Sequence, residues 1–169
     1  MRLRRALPLA TTLFAGAMLI QPAAAGQEKS TAIHTKDVQR HGDVAMGFSH
    51  LKTIHHFTLT PSGGYIRVAA NASADNSTRE MVRMHLAHIA QAFKAGDFSS
   101  PLFTHGRVPP GVPVLKRMKG LILYKYQDTE DGGQVGITSR DFQAVAAIHE
   151  FLRFQIQDHQ TGDSTAVQP

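Results

Sequence analysis

The 169-residue chain has no cysteine and no tryptophan. Without cysteine there is no disulfide framework, thiolate metal site, iron–sulfur cluster, cysteine nucleophile or covalent c-type haem attachment. Several chemical signatures are missing as well. There is no Gly-rich phosphate loop and no G-x-S-x-G nucleophile elbow. His149-Glu150 opens the H-E-x-x-H metalloprotease motif, but Arg153 stands where the second histidine must be, which argues against a zincin. Asp128, Glu130 and Asp131 fall in a turn and lack the full spacing of a calcium loop. Beyond the N-terminal segment no apolar run is long enough to span a bilayer.

What the chain does have is 10 histidines, a 42% hydrophobic fraction and a formal charge of +5. That hydrophobic fraction suffices for one packed core. The charge is unevenly placed. Arg2, Arg4 and Arg5 precede an apolar stretch from Ala6 to Ile20, and Ala23-Ala24-Ala25 follow with small residues. This pattern predicts a cleaved secretory signal over residues 1–25 and an exported, periplasmic or extracellular, protein. Without its three arginines the rest of the chain carries 15 Lys and Arg against 13 Asp and Glu, or +2. So weak a balance does not suggest a nucleic-acid partner, which calls for a clustered basic face. No integral membrane span is expected after the signal.

Residues 26–50 show no persistent period and read as a flexible arm. A strand is expected over 54–60, a Pro61–Gly64 turn, and a return strand over 65–71. Ser77-x-x-Glu80 has capping-box spacing ahead of a helix running to Ala95, with Gly96 as its stop. Val82, Leu86, Ile89 and Phe93 form its apolar stripe. A Pro-rich loop over 97–120, closed by a short helix near 113–119, leads to a second strand pair and a helix over about 140–159. The stripe of that helix is Val145, His149, Leu152 and Ile156. Gly63-Gly64 and Gly132-Gly133 recur at the same place in each half. The expected fold is α+β, a four-stranded antiparallel sheet with two long helices on one face. It is built from two β-β-α units, 54–96 and 121–162, within one domain over 51–162. Residues 163–169 read as a disordered tail.

Alternation along the first strand turns His55 towards the helices with Phe57 and Leu59, and His56 away. His85 lies at the edge of the first helical stripe, with His88 one turn further out. His149 sits inside the second stripe. His159 is near that face too, but about 15 Å from His149 at 1.5 Å rise per residue, so those two do not share an ion. His55, His85, His88 and His149 are therefore the candidate metal ligands. Imidazole suits copper and zinc, and thioether from Met81, Met84 or Met46 would bias the site to Cu(I). Non-covalent haem ranks behind copper and zinc. His34, His41, His50 and His105 read as solvated loop residues, although His41, Met46 and His50 of the arm can fold over as extra ligands.

Three readings of function follow. The first is an exported small soluble protein that binds a transition metal or haem through histidines. The second is an envelope interaction or structural module with packed histidines and no cofactor; nothing in the sequence identifies its protein partner. The third is a small-molecule carrier or enzyme. The enzyme reading is the weaker form, because no catalytic geometry is fixed by the sequence.

Overall fold

A computed structural model of the chain describes residues 24–72 and 74–169. The expected export segment lies outside the described residues, apart from Ala24 and Ala25, which open the first helix. In order, the elements are α1 (Ala24–Met46), β1 (Thr53–Thr60), β2 (Gly63–Ala70), α2 (Asn76–Ala95), α3 (Ser99–His105), α4 (Val112–Arg117), β3 (Ile122–Thr129), β4 (Gly132–Ser139) and α5 (Phe142–His159).

The strands form one antiparallel sheet in the order β1-β2-β4-β3. Each hairpin supplies one edge and one central strand, and β2 pairs with β4 across the middle, with Ile66 opposite Val135. This is the expected pair of β-β-α units. Phe57, Leu59, Ile66, Val68, Tyr124, Val135 and Ile137 all point to one face, into a core shared with Val82, Leu86 and Ile89 of α2 and Ile148, Phe151 and Leu152 of α5. Burying one such side chain stabilises the fold by about 1.5–3 kcal/mol. The recurring glycines have a packing cause. A Cβ on Gly64 would stand 2.4 Å from Leu152 Cδ1 on α5, and one on Gly133 would stand 3.2 Å from Leu86 Cδ1 on α2. Each long helix thus crosses over and lies directly on the start of the central strand of the other unit, α5 on β2 and α2 on β4.

The helix starts are set by aspartates. Asp75, not Ser77, caps α2: its carboxylate accepts from the backbone N–H of Thr78 at 2.8 Å and from the Thr78 hydroxyl at 2.9 Å. Asp141 caps α5, accepting from the N–H groups of Gln143 and Ala144. Gly96, with φ of 86°, ends α2 as expected.

Three expectations are corrected. Residues 26–50 do not form an irregular arm: most of them belong to α1, which packs on α3 and α5. From Thr31 onward its buried residues are Val38 and Gly42, with the partly buried Met46 one turn further, a spacing of four. A stripe that counts a glycine as one of three contacts leaves almost no hydrophobic period to read. The Pro-rich loop also contains a helix, α3, with Pro101 in its first turn, where a missing N–H costs nothing. Finally, the tail is docked. Asp163 accepts from the N–H of Phe57 at 2.9 Å, Gln168 N–H donates to the Leu59 carbonyl at 2.8 Å, and Val167 bridges Leu59 in parallel. The tail occupies hydrogen-bonding groups along the outer edge of β1, groups that an edge strand otherwise leaves open.

No helix among the described residues is long and apolar enough to cross a membrane.

Candidate functional site: a cavity lined by imidazoles

A cavity of about 80 Å³ lies between the sheet and the surrounding helices. Four histidines from four elements line it: His55 from β1, His85 from α2, His105 from the end of α3 and His159 from the end of α5. Met46, at the end of α1, lines it as well, and no Asp, Glu, Lys or Arg is among the described residues that line it. A haem does not fit such a volume, since pockets for drug-sized ligands run to about 300–1,000 Å³.

Strand alternation places His55 as expected, on the helix side with Phe57. The two rings stack at 6.5 Å, and the His159 ring lies parallel to His55 at 5.8 Å with an interplanar angle of 3°. The His85 ring meets the edge of Phe48 at 5.8 Å. His105 stands edge-on to His159 at 4.9 Å.

These neighbours divide sharply by hydrogen bonding. His105 is 4% exposed. Its Nδ1 donates to Asp158 Oδ2 at 2.6 Å, and its Nε2 lies 3.0 Å from the Gln155 side-chain oxygen. Asp158 also accepts from His34 Nε2 and from Arg107, each at 3.0 Å. Burial pushes the Asp158 carboxyl up, but the bonds from His34 and His105 outweigh it and hold the group below its ordinary value. One carboxylate on α5 therefore fastens α1, α3 and the loop after α3. By contrast, the ring nitrogens of His55, His85 and His159 have no hydrogen-bond partner among the described residues; their contacts are ring faces and edges. Burial, the dominant cause, lowers His55 and His85 from 6.5 to about 4, and His159 to about 3. Repulsion adds to this, from His85 on His55, from His88 on His85, and from His55 on His159. All three rings are neutral at pH 7. Each offers one N–H and one lone pair, fit to hold a ligand. A proton-transfer group works best with a pKa near the working pH, and these lie well below it.

Of the four residues expected to act together, the structure brings His55 and His85 to the cavity. His88 is exposed on the outer side of α2. His149 is half-buried at the sheet margin, where its Nε2 donates to the Thr60 carbonyl at 2.9 Å. The buried face of α5 runs through Ala144, Ile148, Phe151, Leu152 and Gln155. It is rotated by less than one residue step from the expected stripe, which leaves His149 at its edge. His159 is seven residues beyond Leu152, a rotation of 700°, and so returns to within about 20° of that residue. That spacing is the signal that would have selected it. His105 and Met46 carry no such signal, because the helices that hold them, α3 and α1, have almost no apolar period. His50 and His56 are also partnered, His50 Nδ1 with Asp43 at 2.9 Å and His56 Nδ1 with Asp163 at 2.9 Å.

Among the described residues, no group of three or more His, Asp or Glu side chains is arranged to hold a metal ion. Comparison with protein-family models, with curated proteins and with solved structures finds no match to this chain.

Proposed function

We propose that the chain is an exported small-ligand-binding protein whose site is the cavity between the sheet and the helices. His55, His85 and His159 line it, and ring nitrogens among them hold the ligand. The observation carrying this reading is the convergence on one cavity of three half-buried imidazoles, none of them hydrogen-bonded to a described residue. The same fold gives His34, His50, His56 and His105 a carboxylate and His149 a carbonyl. Packing alone accounts for those five. Of the other five, His41 and His88 lie outside the cavity, and His55, His85 and His159 line it together, a convergence of polar groups in a concave apolar site that marks a binding pocket. Export rests on the basic and apolar pattern of the first 25 residues.

The test is a thermal-shift titration of the chain from Gly26 onwards with Cu(I), Ag(I), Zn(II), imidazole and phenol. The wild type is expected to gain stability with at least one of these. A variant with His55, His85 and His159 all changed to Leu is expected to gain none. A ligand response that survives the triple change, or no response to any probe, contradicts the reading.

A further inference from the structure

We propose that the ligand is a soft monovalent metal ion, Cu(I) in the cell, held by the Met46 thioether and ring nitrogens of His55 and His85. This rests on the cavity being a ligand site.

The donor chemistry selects the ion. The cavity offers imidazole nitrogen and thioether sulfur and no carboxylate. Carboxylate and carbonyl oxygen suit magnesium, calcium and manganese, whereas thioether selects Cu(I). Charge selects it again. No acidic residue lines the cavity, so a divalent ion would carry both its charges into an apolar site with only neutral donors. The cost of moving an ion from water into a low-dielectric interior rises with the square of its charge, and a monovalent ion escapes most of it. Coordination number points the same way. Structural zinc sites take four ligands and catalytic ones three plus water. No three His, Asp or Glu side chains are so arranged among the described residues. Two imidazoles and a thioether are a sufficient set for a closed-shell monovalent ion, which accepts linear or trigonal coordination. His159, parallel to His55 at 5.8 Å, then acts as a wall that fixes the His55 ring rather than as a ligand.

Met46 is placed for the role. It is the last residue of α1, followed by Gly47 at φ of 77°, and the Gly47 N–H closes the helix on the Asp43 carbonyl at 2.9 Å. Gly42, one turn earlier on the same face, lines the cavity beside it.

The experiment is a titration of the full exported chain with Cu(I) under reducing conditions and with Ag(I) as a redox-inert substitute. It is read by ring-nitrogen and methionine-methyl NMR and by competition with a chromophoric Cu(I) chelator. One equivalent of either ion is expected to shift His55, His85 and Met46 together. Met46→Leu and His85→Leu are each expected to weaken Cu(I) binding by at least about tenfold, the lower end of what is lost when a metal site's supporting residues are removed. Met84→Leu and His88→Ala, on the exposed side of α2, should leave it unchanged. The proposal is overturned if neither ion moves those three residues, or if Met46→Leu binds Cu(I) as tightly as the wild type. Should a variant fail to fold, the wild-type shifts decide alone. Movement of the rings by imidazole or phenol but not by either ion would refute the metal and leave the cavity reading standing. No movement by any probe would refute both.

Discussion

His105 and His159 touch, ring against ring at 4.9 Å, yet their nitrogens meet opposite fates. His105 is fastened to Asp158 and belongs to a node that joins α1, α3 and α5. His159 faces the cavity with neither nitrogen hydrogen-bonded to a described residue. The fold can supply carboxylates to histidines. It does so at Asp43, Asp158 and Asp163, the second of which holds the cavity-lining His105, and it supplies none to His55, His85 or His159. The difference separates histidines fixed by hydrogen bonds across the fold from histidines whose ring nitrogens no described residue engages.

The largest way to probe this contrast is at the node. Asp158→Ala removes the acceptor for His34, His105 and Arg107 and leaves His105 buried without its partner. It is expected to cost about 3 kcal/mol, the lower part of the range for breaking a buried pair from one side, measured by chemical denaturation. Asp163→Ala should cost about 1–2 kcal/mol, because it leaves the Phe57 N–H and His56 without their acceptor and frees the tail. A tail freed in this way becomes visible as rapid amide exchange at Gln168. His149→Ala loses one hydrogen bond to Thr60 at a half-buried margin, about 1 kcal/mol. The smallest effect is expected in the cavity. His85→Leu, which replaces a partnerless imidazole by an apolar side chain of similar size, should change stability by less than about 1 kcal/mol in either direction. A loss at His85 as large as that at Asp158 would erase the distinction between the two sets.

Acid separates them again. A histidine whose folded value is depressed resists protonation in the native state while the unfolded chain takes the proton. The stability tied to His55, His85 and His159 is therefore present above pH 6.5 and is lost as pH falls through about 4 to about 3. Asp158 and Asp163 lie below their ordinary value of 3.8, so their contribution is lost only at lower pH. The ligand-free protein should weaken steadily between pH 6.5 and 4. Changing the three cavity histidines to Leu should flatten that slope, and changing Asp158 should not.

The sheet, its order of hairpins and both long helices were legible, because period-two strands, paired glycines and apolar stripes such as Val82–Leu86–Ile89–Phe93 are strong local signals. The site was half legible. His55 and His85 follow from alternation and from the edge of one stripe. His159 was set aside for His149 because the α5 stripe was placed slightly too far round the helix. Met46 and His105 depend on α1 and α3. From Thr31 onward the first of these buries a valine and a glycine, and the second carries a proline, so tertiary contact rather than sequence period fixes both. The histidine–aspartate pairs were invisible, since Asp158 and His34 are 124 residues apart.

The most direct measurement is a ring-nitrogen spectrum of all ten histidines, recorded at pH 7 before and after Cu(I) or Ag(I) is added. The account predicts that His55 and His85 change while His34, His105 and His149 keep their hydrogen-bonded signals. Unchanged cavity rings, or changes confined to the carboxylate-bound set, would contradict it.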